Sequence, residues 1–129
     1  MSYQVISEIL GFKDTKNVTI EPIDELFFKM NDTNDANISF ILVNPYLLRD
    51  YDFEIEEDIK DLLNINENSN ISIYNILLIQ KPIEKSTINF LAPILVNNDN
   101  NTLAQIILEP KKNPDYGMAE RIESFKENN

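Results

Sequence analysis

The sequence has 129 residues, no cysteine, no histidine and a formal net charge of −11. Its length suits a single domain spanning residues 1–129, and the absence of cysteine and histidine excludes disulfides, Ser–His or Cys–His catalysis and histidine- or thiolate-ligated zinc. Because proteins neutralise phosphate backbones with Lys and Arg, the acidic excess argues against direct binding of RNA or DNA. It favours a basic protein partner, and the other open interpretation is that it serves solubility alone.

The N-terminus predicts a first strand and no targeting segment. Tyr3–Ile6 consists of strand-forming residues, and no basic region is followed by a long apolar run. No stretch of the chain approaches the ~18 apolar residues that a membrane helix needs. We therefore expect a cytoplasmic protein that does not bind membranes.

A hairpin is predicted over Leu26–Val43. Two apolar runs flank the loop 31–37, whose Asn and Asp residues tolerate tight turns. The loop lacks the Gly and the bidentate Glu of a calcium-binding loop, so we predict no metal site there. Val18–Ile20 predicts a short strand before the hairpin, stopped by Pro22.

An acidic amphipathic helix is predicted over Asp50–Leu63. Apolar residues recur at helical spacing, and carboxylates crowd the expected first turn, where the helix dipole favours negative charge. The apolar stripe consists of Ile55, Ile59, Leu62 and Leu63. Two interpretations stay open for the acidic side chains, namely a solvated helix face or a patch that binds a basic partner. The candidate partner-binding residues are Asp50, Asp52, Glu56, Glu57, Asp58 and Asp61.

The second half of the chain predicts a strand over Ile71–Ile79 and a hairpin over Ile88–Leu108. Both arms of this hairpin carry apolar residues on both faces, which is typical of strands in a closed or doubly covered sheet. Phe90 is a predicted core residue. Pro93 has no amide to donate, so it belongs at a bulge, a bend or an edge-facing position.

The last residues predict a helical C-terminal extension over 113–129. Asn113 and Pro114 suit the start of a helix. Met118, Ile122 and Phe125 then recur at helical spacing, and we expect this apolar stripe to dock on the domain.

Together these elements predict an all-β fold, a small barrel-like antiparallel sheet with one or two short helices. Nothing singles out a pair of carboxylates for hydrolytic chemistry, and two glycines are too few for a phosphate-cradling loop. We therefore expect no enzyme, no cofactor and no metal. Two classes stay open, a stand-alone barrel that binds a small ligand and a protein-interaction module that regulates through binding.

The order of several short motifs resembles the FliW family of flagellar assembly factors. The motifs are the segments 40–46 (FILVNPY), 50–55 (DYDFEI) and 89–94 (NFLAPI), followed by Asn97 and Gln105. They occur in the family's order and at compatible spacing. The tail 113–129 departs from the commoner, shorter ending of the family and is similar to versions with a helical extension.

The resemblance implies a small all-β barrel without enzymatic activity. Proteins similar to this one bind flagellin and the RNA-binding translational repressor CsrA, whose repression of flagellin synthesis they relieve. Unpolymerised flagellin occupies such a protein when it accumulates, and CsrA is then left free to repress. On this basis we expect flagellin and a CsrA-type repressor as partners of a chain that is monomeric alone, with the acidic residues of segment 50–61 facing the repressor.

Overall fold

The computed structural model describes residues 1–125, in which short strands dominate. The strands are β1 (Ser2–Ser7), β2 (Asn17–Pro22), β3 (Phe27–Asp32), β4 (Ser39–Val43), β5 (Ile71–Leu78), β6 (Thr87–Ile88), β7 (Ile94–Asn97), β8 (Thr102–Gln105) and β9 (Glu120–Arg121). Within this range one α-helix, α1, spans Glu57–Leu63, and 3-10 helices span Pro45–Leu47, Ile83–Lys85 and Ile122–Phe125. None of the helices in the described range is long and apolar enough to cross a membrane.

Seven of the strands close into a barrel in the ring order β1, β2, β3, β4, β5, β7 and β8, with β8 returning to β1. A closed ring can alternate strand direction throughout only when the number of strands is even, so a ring of seven must contain a parallel pair. That pair is β1 with β8, in which Gln4 lies opposite Thr102 and Val5 lies opposite Leu103. The predicted all-β barrel is confirmed, and its sheet is antiparallel except at this closure.

The strands β7 and β8 are buried on both faces because the barrel interior lies on one side and α1 on the other. Ile94 and Val96 belong to the interior core cluster. Leu95 and Ala104 pack instead against Leu63 of α1. Helix α1 thus covers the outer face of these strands, which explains why neither arm of the predicted hairpin has a polar face.

The predicted hairpins are largely correct. Leu26–Val43 forms the antiparallel pair β3–β4, as expected. The second hairpin is correct at its tip, where β7 pairs with β8, but Ile88 belongs to β6, which pairs with β5 and β9. Between these two strands the chain bends, and Pro93 lies immediately before β7. A bend is one of the positions predicted for a residue without an amide donor.

The predicted helix over Asp50–Leu63 is too long at its start. Helix α1 begins only at Glu57, and residues 51–56 form irregular chain in which inward and outward side chains alternate. At its other end Asn64 takes the left-handed conformation, with φ at 56°, which stops the helix. Leu62, predicted on the apolar stripe, is 46% exposed.

The predicted helix over residues 113–129 is wrong for residues 113–125. The chain turns after Asn113, forms β9 against β6, and continues as the 3-10 helix Ile122–Phe125. Ile122 and Phe125 do pack on the domain, as expected, whereas Met118 is 69% exposed. Residues 126–129, the rest of that prediction, lie outside the described residues.

Candidate functional site

The predicted acidic residues are all exposed, but they do not share one helix face. Asp50 and Asp52 lie in the irregular chain before α1, and Glu56 is the N-cap residue, without a side-chain capping bond. Glu57, Asp58 and Asp61 lie on the helix, where Glu57 forms a 3.5 Å ion pair with Lys60. The six residues of the predicted patch therefore lie partly in the irregular chain before α1 and partly on the helix itself.

An acidic groove of about 490 Å³ runs between this segment and the chain that continues β8. Glu54, Glu56 and Asp58 contribute to one side, and Glu109 lies in the segment after β8. Of the six predicted residues only Glu56 and Asp58 line the groove; the four others do not. Glu54 and Glu109 were missed as candidates. The period-two spacing of Glu54 and Glu56 was the available signal, since alternate residues of a non-helical segment face the same way.

One strand edge in the acidic groove is unpaired. The amides of Ile106 and Leu108 bond inward to the carbonyls of Pro93 and Leu91, at 3.0 and 2.7 Å. In an antiparallel pair the intervening residue points its polar groups the other way, and the amide of Ile107 has no hydrogen-bond partner within the described chain. Strand β1, which pairs with β8 up to Ala104, has ended by this point. The backbone edge therefore faces the groove.

A second recess, the apolar hollow, has a volume of about 540 Å³. It lies between the start of β3, the 3-10 helix Pro45–Leu47 and the 3-10 helices Ile83–Lys85 and Ile122–Phe125. Leu47 and Ile83 are 55% and 56% exposed at this recess. The apolar residues that line it include Leu26, Phe27, Leu47, Leu48, Ile83 and Phe125.

Arg49 fixes the C-terminal segment that forms one wall of the apolar hollow. Its Nη1 lies 3.1 Å from a carboxylate oxygen of Glu120, and its Nη2 donates to the carbonyl of Asp115 at 3.2 Å. The guanidinium also lies 4.8 to 5.4 Å from the ring centroids of Phe90, Tyr116 and Phe125. Cation–π contacts and the ion pair thus act together on one side chain.

Tyr51, in the same region, is a buried, neutral hydrogen-bonding group. Its hydroxyl donates to the carbonyl of Phe90 and accepts from Nδ2 of Asn75 at 3.2 Å. Burial raises the pKa of Tyr51 far above its usual range, so the phenol stays protonated even in alkaline solution that ionises an exposed tyrosine. A phenol held in this way stabilises the fold.

Within residues 1–125 no group of three or more acidic side chains is placed to hold a metal ion. The described surface carries two recesses, an acidic groove with an open strand edge and an apolar hollow beside the rings of Phe90, Tyr116 and Phe125. In class, the described part of the chain is a small closed β-barrel with two recesses on its outer surface.

Comparison with known proteins gives this class a family. The protein-family model described as "FliW protein" matches residues 2–122 of this chain. The chain is 47% identical over 125 residues to flagellar assembly factor FliW 2 of Wolinella succinogenes, covering 97% of this chain and 92% of that protein. It is 43% identical over 126 residues to flagellar assembly factor FliW of Campylobacter lari, covering 97% and 96%.

A solved structure gives the same fold. The crystal structure of a flagellar assembly factor FliW superposes with a TM-score of 0.85 at 23% identity, covering 99% of this chain and 88% of that chain. The chain therefore belongs to the FliW family of flagellar assembly factors, and the resemblance seen in its motifs is confirmed. That description names an assembly role and no reaction.

Proposed function

We propose that this chain is a cytoplasmic binding protein, without catalytic activity, that couples flagellin synthesis to flagellar assembly. It binds flagellin and antagonises a CsrA-type translational repressor. The observation that carries the proposal is the near-full-length identity of 41 to 47% to relatives named flagellar assembly factors. The presence of two chemically different surfaces supports two different partners.

The alternative of a barrel that binds a small ligand inside is less well supported. The interior of the barrel is filled by side chains such as Val18, Met30 and Leu42, each with no exposed surface. A packed interior leaves the outer recesses as the available binding surfaces. Recovery of a small metabolite with the purified chain would favour the alternative.

The apolar hollow suits flagellin. Flagellin subunits keep apolar end segments that become buried only in the filament, and such segments need cover before assembly. Leu47 and Ile83, each more than half exposed, supply apolar contact surface at the hollow, and exposed apolar patches commonly mark docking sites. In this role the chain acts as a chaperone for the unassembled subunit.

Replacing Leu47 and Ile83 by Glu should weaken flagellin binding at least about tenfold, because charges in an apolar contact must be desolvated. Both side chains are exposed, so the melting temperature should change little. The measurement is the affinity of immobilised chain for purified monomeric flagellin. A matched control places the same two charges at Leu10 and Leu62, which are 57% and 46% exposed and do not line the hollow. Equal affinity of the two double variants would refute the flagellin assignment of the hollow.

The acidic segment suits the repressor. An RNA-binding repressor presents basic surface, and carboxylates docked beside the RNA path can lower RNA affinity by repulsion without covering the RNA site. Charges interact in this way only over about one Debye length, ~8–10 Å at physiological ionic strength. The candidates remain Asp50, Asp52, Glu56, Glu57, Asp58 and Asp61.

Changing Glu56, Glu57 and Asp61 to Lys should reduce both repressor binding and displacement of its RNA, most strongly at low salt. The three side chains are exposed, so the fold should survive. The control changes three other exposed acids, Asp14, Glu21 and Glu25, to Lys and so carries the same net charge. Titration of repressor and labelled RNA over a salt series measures the effect. If both triple variants behave alike at low salt, net charge explains the result and segment 50–61 is not the antagonist surface.

A further inference from the structure

We propose that the acidic groove holds an extended, basic segment of a partner protein, which adds as a strand to the open backbone edge at Ile107. The inference rests on the proposed function in one respect, since it describes how a basic partner would be held. It goes further by naming the conformation of the bound segment and the backbone groups that bind it.

The backbone supplies the first step of the argument. Residues 106 and 108 use their amides within the molecule, so the polar groups of Ile107 are directed to the other side of the segment. Strand β1 pairs with β8 only as far as Ser7 opposite Ala104. Beyond it, the amide of Leu10 bonds to the side-chain Oε1 of Gln105 at 2.8 Å, and the edge past Gln105 receives no strand within the described chain. An added strand would take the place where β1 would have continued.

The side chains around this edge supply the second step. Four carboxylates line the groove, those of Glu54, Glu56, Asp58 and Glu109, with a single amine, Lys112. That amine already lies 3.8 Å from Glu109. Side chains of an added strand alternate in direction, so every second residue of the segment would face the carboxylates. Charge complementarity therefore selects Lys or Arg at alternate positions.

Apolar contacts set the positions between the basic ones. Ile107 is 63% exposed at the open edge, and the partly buried Ile59 also lines the groove. An apolar residue of the bound segment can cover these side chains while its neighbours face the carboxylates. The bound segment therefore alternates apolar and basic residues.

A second copy of this chain is a poor occupant of the same edge. Edge-to-edge pairing of two copies would be symmetric and would bring Glu54, Glu56 and Asp58 of one copy towards those of the other. The chain as a whole carries a net charge of −11, so such copies repel. The groove favours a segment of opposite charge.

The test uses the full chain and a short labelled peptide that alternates valine and lysine. Fluorescence anisotropy at low and physiological salt measures its affinity. Neutralising the groove with Glu54→Gln, Glu56→Gln and Asp58→Asn should weaken binding about tenfold. The matched triple Asp14→Asn, Glu21→Gln and Glu25→Gln removes the same charge outside the groove, at exposed positions, and should have little effect.

A second peptide separates strand pairing from charge. N-methylation of alternate amides keeps the lysines but removes the donors needed for pairing, and it should weaken binding by a similar factor. The proposal is overturned by any of three results: no binding of the valine–lysine peptide to the unmodified chain, equal losses in the two triple variants, or equal binding of the methylated peptide. Melting temperatures of both triples confirm that the fold is retained.

The same preparations distinguish this proposal from the proposed function. If the unmodified chain retains flagellin and the repressor while both triples lose peptide equally, only the groove assignment fails. If it retains neither protein but the groove triple alone loses the peptide, the groove assignment stands and the proposed function fails.

Discussion

Replacing Phe90 by Ala should lower the free energy of unfolding by about 3–5 kcal/mol. The Phe90 side chain has no exposed surface. Its ring centroid lies 5.5 Å from that of Tyr51 and 5.4 Å from that of Phe125, both edge-to-face. Truncation would leave a cavity between the barrel and the C-terminal segment and would remove one of the rings beneath Arg49.

Chemical denaturation followed by far-UV circular dichroism measures this loss. Tyr46→Ala is the matched control, because its ring is 53% exposed and lies 6.4 Å from the same Tyr51 ring. The control should lose less than about 1 kcal/mol. A near-neutral effect of the Phe90 substitution would show that the packed rings of Phe90, Tyr51 and Phe125 do not form part of the core.

Replacing Arg49 by Met should lower the free energy of unfolding by about 1–3 kcal/mol. Met preserves much of the apolar stem but removes the ion pair with Glu120, the bond to the Asp115 carbonyl and the contacts with three rings. Both partners of the ion pair are less than a third exposed, which limits screening by solvent.

The Arg49 substitution should also loosen the C-terminal segment locally, in addition to lowering the overall free energy of unfolding. The amide of Phe90 bonds to the carbonyl of Gly117 at 2.9 Å and reports on whether the C-terminal segment stays docked. Hydrogen exchange at that amide should accelerate in the Arg49 variant. Arg121→Met is the control, since Arg121 is an exposed arginine of the same segment that forms a 3.4 Å ion pair with Glu123. Unchanged exchange at Phe90 would show that Arg49 does not hold the segment.

The barrel could be predicted from sequence because its signal is local. Strands such as β3 and β4 are runs of apolar residues separated by polar loops, and the doubly apolar β7 and β8 indicate cover on both faces. The parallel pairing of β1 with β8 has no such local signal. It follows from the number of strands in the closed ring, which becomes known only when all pairings are known.

Segment 51–56 was mispredicted because a distant contact overrides its local pattern. The hydroxyl of Tyr116 accepts a bond from the amide of Asp52 and donates one to its carbonyl, both at 2.8 Å. Both backbone groups of Asp52 are thereby bound to a residue 64 positions away. Apolar residues at helical spacing could not reveal that contact.

The candidate site was predicted in composition but not in geometry. Glu56 and Asp58 lie in the acidic groove beside Glu54, which is not among the six predicted residues. Glu109 joins them only through the folding of the chain beyond β8. The C-terminal residues show the same limit: Asn113 and Pro114 suit a helix start, but contacts with Arg49 and β6 select a strand and a 3-10 helix.

The parallel closure of the barrel also sets the order in which the molecule can be completed during synthesis. Gln4 meets its partner Thr102 only after nearly the whole barrel has been translated. Until then one edge of β1 stays open, and open strand edges are templates for misassociation. Pairing strands so distant in sequence carries a large loop-closure entropy, which places folding roughly in the millisecond-to-second range of β-rich domains. A nascent chain is therefore most vulnerable in the interval between the emergence of β1 and the arrival of β8.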